Sequence, residues 1–540
     1  MSKLLQKITL SGLVCLWSIG MLAQKDPGVR GGLQNTGGGL QTQGIRIPKP
    51  PIMSPNPNHP ELKMNDNEIS LFFEGIKRMG QLESTCDKCS VAPFGVGDGN
   101  PVDTDHGAPA NAEIDPDFPQ HFTNSNGLGT RHNSDNCFEC HAQPVLGGSG
   151  GFIAAQKGAV AQNPQFDLVP HRSGRQNVVP AFEEQFGPIR EVRFKFNPDG
   201  TRDGGVHALW TTRGDVTDPF NTACDAVQPD FATEFKKGNL SFRIPLQEFG
   251  LGLIESIEDN EILNHQAATA TARAALGIAG HPNRSGNDGT ISRFGWKAQN
   301  KSLAIFAGEA YNVEMGVSND VFPNARDENH NCAINKPAPN DINRVDDTDV
   351  DNHAFNSPLH ELPDWQLFLV TMRFMDAPQP DPNPSASATR GRAVFEQVGC
   401  SLCHTPTMQT GGANNAGGPS NSPILVDRPA NLFSDLLVHH MGPALADDVI
   451  QGNAGPDEFR STPLWGVGQR MFFLHDGRTN DLLQAILLHA SGDGNNDNDD
   501  AVSGDRNTKV PASEANGVIR QFRKLSVADK QAVLDFLRSL

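Results

Sequence analysis

Two short motifs constrain this chain most, because each joins two cysteines to a histidine in the order Cys-x-x-Cys-His. The first reads CFECH at residues 137–141, and the second reads CSLCH at residues 400–404. Two cysteines spaced in this way can form thioethers with the two vinyl groups of one haem, and the following histidine can bind the iron. A zinc site would need a second Cys or His pair nearby. The motifs therefore predict two covalent haem c groups, attached through Cys137, Cys140, Cys400 and Cys403, with His141 and His404 as iron ligands.

The N-terminal residues have the pattern of a secretory signal peptide. Lys3 and Lys7 precede the apolar run ITLSGLVCLWSIGMLA, and the polar residues QKDPG follow it. A transmembrane anchor would need about 20 apolar residues, which is more than this run provides. We therefore expect residues 1–23 to be removed after Ala23, the mature protein to be periplasmic, and the mature chain to contain no membrane span.

The net charge of the chain limits the classes of molecule that it can be expected to bind. The 540-residue chain has a formal net charge of −19 and a pI of about 5.3, which argues against nucleic acid as a partner. An acidic surface would suit a small basic electron-donor protein, although acidic surfaces often serve only solubility. The 54 glycines and 39 prolines indicate many turns and long connections.

The chain divides by composition into a linker and two larger parts. Residues 24–65 are rich in Gly, Gln, Asn and Pro and predict a flexible linker. Residues 66–375 are expected to form an N-terminal haem c domain with insertions, and residues 376–540 a C-terminal cytochrome c domain. Apolar spacing predicts helices that begin near Asp66, before Cys400 and near Ser526. The expected fold is mainly α, with two cytochrome-c-like domains, long loops and a few short strands in the N-terminal half.

Cysteines outside the two motifs have a separate interpretation. Cleavage of the signal peptide leaves Cys86, Cys89, Cys224 and Cys332, and an even number in an oxidising compartment suggests disulfides. Four cysteines allow three connectivities, and the sequence does not choose among them. No histidine follows the pair Cys86 and Cys89, so we do not expect a third haem there.

One acidic segment resembles part of a calcium-binding loop. The segment GDGNNDNDDAVSGD at residues 492–505 places oxygen ligands at alternating positions: Asp493, Asn495, Asp497 and Asp499. No glutamate closes the loop as it does in an EF-hand. A calcium ion and a solvated acidic insertion therefore both remain open.

Longer blocks give the chain a family resemblance. The segments NGLGTRHNSDNCFECHAQPVLGGSGG, SRFGWKAQNKSLAIFAGEAYNVEMGVSNDVFP and STPLWGVGQRMFFLHDGRTNDLLQAILLHASG resemble those of the bacterial di-haem oxidoreductases. Members of that family are labelled peroxidases or thiol oxidoreductases, and they are similar to di-haem cytochrome c peroxidases. The resemblance implies electron transfer from a C-terminal haem to an N-terminal catalytic haem, where peroxide or another small oxidant is reduced.

The resemblance also assigns roles around the N-terminal haem. Trp296 falls where the peroxidases place a tryptophan between the haems, and the alternative is an ordinary buried aromatic residue. Glu314 matches the distal glutamate that moves protons during peroxide cleavage, and the alternative is a solvated charge at a helix end. Phe306 stands in place of the partner glutamine. Tyr311, the only tyrosine in the chain, is a substitute donor or a packing residue.

The sixth ligand of the C-terminal haem departs from the family pattern. The peroxidases place this ligand 14 residues after the histidine of the His-Asp-Gly motif, which here is His475. Residue 489 is a histidine, so the resemblance implies a His404/His489 iron of low potential. Met441 is the rival ligand, and His489 could instead be a surface residue of a helix. His475 itself could orient a haem propionate.

Two further points remain open in the sequence. His132, His171 and His207 could each reach the far side of the N-terminal haem, or each could be structural. The chain could also be an electron-transfer cytochrome with two six-coordinate irons, or an oxidase of a protein or thiol substrate.

Overall fold

The computed structural model describes most of the chain in separate stretches. The described residues are 25–28, 34–35, 40–41, 56–80, 82–84, 124–126, 128–134, 136–141, 143–144, 147–151, 163–166, 177–211, 226–324, 362–412, 422–492 and 510–540. Several predictions concern residues outside these stretches and stay predictions: the signal peptide at 1–23, the four further cysteines, His171 and the acidic loop at 493–505.

Ten α-helices lie within the described residues. The helices predicted near Asp66, before Cys400 and near Ser526 are all present. Serines 302, 385 and 526 cap their helices, because each hydroxyl accepts a hydrogen bond from a backbone N–H of the first turn. The helices are α1 Asp66–Met79, α2 Phe231–Lys237, α3 Leu251–Ser256, α4 Asp259–Leu276, α5 Leu303–Glu314, α6 Asp364–Phe374, α7 Ala386–Gln397, α8 Leu482–Leu487, α9 Asn516–Lys524 and α10 Val527–Ser539.

The described residues also contain 13 strands, and none is longer than four residues. Strands β7, β6 and β9 form a three-stranded antiparallel sheet, and the other strands form pairs: β1 with β2, β3 with β4, β5 with β8, β10 with β11 and β12 with β13. The strands are β1 Gln34–Asn35, β2 Leu40–Gln41, β3 Leu82–Ser84, β4 Asn124–Asn126, β5 Arg131–His132, β6 Glu191–Phe194, β7 Val206–His207, β8 Trp210–Thr211, β9 Leu240–Arg243, β10 Met408–Gln409, β11 Pro429–Ala430, β12 Val438–His440 and β13 Glu458–Arg460.

The expectation of a mainly α fold is wrong. Helix accounts for 36% of the residues that the structure describes, and short sheets are spread along the chain. Strands β10–β13 lie in the C-terminal half, where the sequence predicted none. The physical reason is the high glycine and proline content, which interrupts helices and favours turns that bring short extended segments together. The fold is therefore mixed, and the predicted domain boundaries stay a prediction.

Two apolar cores surround the two cysteine motifs. The larger core joins α1, α3, α5 and α6, and Cys137 packs against it. The second core joins α7, α9 and α10, and both Cys400 and Cys403 pack against it. Helices α7 and α10 approach closely because Gly391 has no side chain; an added Cβ would collide with the carbonyl oxygen of Ala532. Each motif is thus held by its own set of packed helices.

We examined the described helices for membrane-spanning character. None of them combines the length and the apolar content that crossing a bilayer requires.

Candidate haem centres

The first cysteine motif forms a tight turn at the edge of a cavity. Residues Cys137–Glu139 make one turn of 3₁₀ helix, which the side chain of Asn136 caps by accepting a hydrogen bond from the N–H of Glu139. Cys137, Cys140 and His141 all line the cavity. Neither cysteine forms a disulfide, and burial followed by the charge of Glu314 raises the pKa of Cys140. Two cysteine thiols beside one cavity fit thioether attachment of a haem.

His141 is oriented so that one ring nitrogen remains for a metal. Its Nδ1 lies 3.1 Å from the carbonyl oxygen of Gly148, to which it can donate a hydrogen bond. The backbone N–H groups of Gly147 and Gly148 in turn donate to the carbonyl oxygen of His141. A hydrogen bond from Nδ1 fixes the tautomer that leaves Nε2 as a ligand, which is the usual arrangement of metal-binding histidines.

The same cavity is also lined by the residues that the family resemblance singled out. Trp296, Phe306, Tyr311 and Glu314 all line it, although the first motif lies about 150 residues earlier. A turn closed by the bridge between Phe294 and Asn300 presents Trp296, and helix α5 supplies the other three. The structure therefore brings Trp296 and Glu314 together with Cys137, Cys140 and His141.

Glu314 is held in a defined position at the end of α5. It is half-buried, and the side-chain amide of Asn133 donates a 3.1 Å hydrogen bond to its Oε2. The backbone N–H of Asn133 also donates to the carbonyl oxygen of Glu314, at 2.6 Å. Asn133 lies four residues before Cys137. Its two hydrogen bonds to Glu314 therefore join the segment that leads into the first motif to the end of α5. Sequence reasoning did not identify Asn133, because 181 residues separate the two partners.

Trp296 is buried at the wall of the cavity and also packs against the C-terminal part of the chain. Its Nε1–H donates a 2.9 Å hydrogen bond to the carbonyl oxygen of Ile244. The ring of His475 meets the indole edge-on, with centroids 6.4 Å apart. This position is compatible both with a bridging role and with ordinary packing.

The two aromatic residues on α5 form an apolar part of the wall. Phe306 stacks on Phe294, with ring centroids 6.3 Å apart and planes 13° from parallel. Tyr311 is buried and packs against Phe368, with ring centroids 5.9 Å apart. Tyr311 is thus part of the larger core as well as of the cavity wall.

Several polar residues that sequence reasoning missed line the cavity, among them Gln299 and Glu309. Gln299 follows Trp296 by three residues, and Glu309 lies one and a half turns before Glu314 on α5. Burial raises the pKa of Glu309, and the side-chain amide of Asn300 donates a hydrogen bond to its carboxylate. The only sequence signal was the spacing of Glu309 and Glu314 on one helix. The cavity lining therefore includes carboxyl groups besides that of Glu314, and it includes glutamines such as Gln299, although Phe306 stands in place of the glutamine of the family.

His132 and His207, two of the histidines proposed for the far side of the N-terminal haem, do not line the cavity. His132 is buried on β5, with Nδ1 3.3 Å from the carbonyl oxygen of Gly129. His207 bonds to Asp203 at 2.8 Å and stacks on Phe194. Among the described residues that line the cavity, His141 is the one histidine.

The second motif faces a histidine across a gap that fits one metal ion. His404 and His489 have ring centroids 6.5 Å apart. Two imidazoles that bind one metal from opposite sides, each at about 2.0–2.1 Å from it, would place their centroids about 6.3 Å apart. Each ring also has its Nδ1 beside a backbone carbonyl oxygen, at 3.1 Å from Phe433 for His404 and at 2.7 Å from Ala485 for His489. Both Nε2 atoms are therefore left for the iron.

Burial keeps both of these imidazoles in the neutral form that binds metals. It lowers the pKa of His404 to about 4, with a further contribution from His489. Burial also lowers the pKa of His489. Phe433, whose carbonyl accepts from His404, has a φ of 55°, a conformation that costs energy for a bulky residue. Such strain at the residue that orients His404 is typical of a functional position.

The rival ligand and the His-Asp-Gly histidine occupy a different cluster. Met441 packs beside Trp296 and Phe459. His475 is buried and stacks on Phe459, with ring centroids 4.3 Å apart and planes 22° from parallel. The structure therefore pairs His404 with His489, and it gives Met441 and His475 packing contacts near Trp296.

We predict that His489→Gly converts one low-spin iron to high-spin. The reason is that the variant removes the imidazole facing His404 and leaves its position open to water. Electron paramagnetic resonance of the oxidised protein would count the signals, with Met441→Ala as the matched control. A conversion in Met441→Ala and none in His489→Gly would contradict the His404/His489 pairing.

Comparison with known protein families identifies the family of the chain. The family model described as "Di-haem oxidoreductase, putative peroxidase" matches residues 190–510, which is more than half of the chain. The protein therefore belongs to the di-haem oxidoreductase family, as the sequence blocks predicted. Membership supports an oxidoreductase with haem cofactors. The matched residues include Trp296, Glu314, His404 and His489, and the first cysteine motif precedes them.

Two solved structures show low similarity to the chain. The di-haem peroxidase BthA from Burkholderia thailandensis is 15% identical, with 46% of this chain and 65% of that chain covered and a TM-score of 0.25. Hydrazine synthase from Kuenenia stuttgartiensis is 16% identical, with 34% and 56% covered and a TM-score of 0.19. The chain thus spans less than two thirds of either protein, and at these TM-scores neither defines its fold. No curated protein matches the chain.

Proposed function

We propose that the protein is an exported, periplasmic di-haem c oxidoreductase that reduces peroxide, or a similar small oxidant, at its N-terminal haem. The observation that carries the proposal is the shared cavity, in which Glu314 and Trp296 face the motif of Cys137, Cys140 and His141. Attachment through thioethers is supported by the four motif cysteines, which are half-buried and form no disulfides. Export rests on the signal-peptide pattern of residues 1–23.

Electrons enter this system at the C-terminal haem, between His404 and His489. Two imidazole ligands would leave that iron without an open position, which suits electron transfer better than binding of a substrate. Trp296 contacts the N-terminal cavity on one side and His475 on the other, so it lies on a route between the two motifs. A small basic protein is the proposed donor, because the chain carries a net charge of −19.

Glu314 is the proposed proton carrier. A haem held by Cys137, Cys140 and His141 would supply the binding site for peroxide and, together with the C-terminal haem, the two electrons for its reduction. Reduction of one peroxide to two waters consumes two electrons and two protons. The carboxylate of Glu314 takes a proton from the near oxygen of peroxide and returns it to the oxygen that leaves as water. Asn133 holds the carboxylate in place, and Phe306 and Tyr311 limit the access of bulk water.

Oxidation of the reduced protein by peroxide tests the proposal. We expect one peroxide to oxidise both haems of one chain, since each haem contributes one electron. An electron-transfer cytochrome with two closed irons would instead stay reduced when peroxide is added.

A further inference from the structure

Arg460 and Arg470 are buried, and neither has a carboxylate partner among the described residues. Arg460 ends β13 and is 6% exposed, and Arg470 is 5% exposed. Arg460 donates from Nε to the carbonyl oxygen of Gly295 at 3.0 Å, whereas its Nη1 has no partner. Arg470 donates from Nη2 to the hydroxyl of Ser149 at 3.3 Å, whereas its Nε has no partner. Within the described part of the chain, neither guanidinium forms an ion pair.

Other buried arginines of this protein have a carboxylate as counter-charge. Each of three pairs with an aspartate: Arg243 with Asp447, Arg273 with Asp435 and Arg293 with Asp259. An unpaired charge in the interior is costly, because it loses its hydration without gaining a counter-charge. Burial lowers the pKa of Arg460 and Arg470 to about 10, and both remain cationic at pH 7. The two positions therefore require an anion that the described chain does not supply.

Arg460 lines the N-terminal cavity, whereas Arg470 does not line it and lies near its wall, beside Trp296. The backbone N–H of Arg460 donates to the carbonyl oxygen of Trp296 at 2.8 Å. The guanidinium of Arg470 lies 6.0 Å from the centroid of the Trp296 ring. Its partner Ser149 follows His141 by eight residues, on the loop whose Gly148 carbonyl orients that histidine. An anion that neutralises these two guanidiniums would therefore lie between the first motif and Trp296.

We propose that Arg460 and Arg470 bind the two propionate groups of the N-terminal haem. A haem c carries two carboxylates on one edge, and guanidinium is the side chain best matched to carboxylate geometry. The inference rests on the proposed haem at Cys137 and Cys140, but it does not depend on peroxide chemistry. It directs the propionate edge of that haem toward Trp296, and so shortens the route from the C-terminal motif.

The test uses the full-length holoprotein with Arg460→Met and Arg470→Met. Resonance Raman spectra should show an altered propionate bending band for the N-terminal haem. Its midpoint potential should fall, because removing a cation destabilises the more negative reduced state. We expect the reduction equilibrium to fall at least about tenfold, which is about 59 mV for a one-electron couple. Mass spectrometry should still find two covalent haems.

Control variants make either outcome decisive. Arg392→Met removes an exposed arginine that pairs with Glu396 on α7, and it should leave both spectra and potentials unchanged. If the methionine variants fail to accumulate, Arg460→Lys and Arg470→Lys decide, since they keep the charge but lose the bidentate geometry and should still shift the Raman band. Unchanged bands, or a shift confined to the C-terminal haem, would overturn the assignment. If these shifts are observed but the parent protein does not reduce peroxide, the proposed function alone would be contradicted.

Discussion

A Cys137→Ala/Cys140→Ala variant should carry one covalent haem and should lose all reduction of peroxide. Both thioethers of the N-terminal haem depend on these two thiols, which line the same cavity as Glu314. The C-terminal haem should remain, because Cys400 and Cys403 pack in a separate core. Mass spectrometry of the denatured protein would count the haems, and mixing with peroxide would measure the activity.

Two matched variants control this experiment. Cys400→Ala/Cys403→Ala should also leave one haem, but that haem should be the N-terminal one. Cys86→Ala/Cys89→Ala removes a pair with the same spacing and no following histidine, so it should retain two haems. A third covalent haem in the parent protein, or two haems in the Cys137→Ala/Cys140→Ala variant, would be incompatible with the assignment.

Glu314→Gln should lower the rate of peroxide reduction at least roughly tenfold, since general acid–base groups contribute about 10²–10⁴-fold. Glutamine keeps the size of the side chain and can still bond to Asn133, but it cannot accept a proton. Both haems should stay attached with similar redox spectra. Single-turnover mixing of the reduced variant and its parent with peroxide compares the two rates directly.

Glu309→Gln is the matched control for Glu314→Gln, because both carboxyl groups lie on α5 and line the same cavity. Glu309 accepts a hydrogen bond from Asn300, and burial raises its pKa. We expect a smaller effect than at Glu314. A large loss at Glu309 with an unchanged rate at Glu314 would transfer the proton-carrier role to Glu309.

Local sequence signals predicted the residues at the centres of the site but not their surroundings. The spacing of the cysteine motifs is a local pattern, as is the distance of 14 residues between His475 and His489. The contact of Asn133 with Glu314 and the position of Gln299 depend on how distant segments pack. No pattern in the sequence encodes them. Arg460 and Arg470 look like ordinary surface charges in the sequence, and only the structure shows that they are buried.

The error in fold class has a similar cause. Short strands in the N-terminal half, such as β6 and β9, were expected, and the pairing of Val192 with Phe242 joins these two; the strands that were not expected are β10–β13. Strands β12 and β13 pair across a turn-rich segment of the C-terminal half. Two to four residues are too few to show a period of two, so such strands cannot be detected from apolar spacing. Helices such as α1 and α10 are long enough to show their period, and these were predicted.

Titration of the fully reduced protein with peroxide, followed by the absorbance of both haems, tests the proposed function most directly. Peroxide should oxidise the two haems at a ratio of one peroxide to one chain, because two waters require two electrons. The Glu314→Gln variant should reach the same ratio more slowly. If the parent protein stays reduced, or is oxidised no faster than the variant lacking Cys137 and Cys140, the protein is not a peroxidase of this kind.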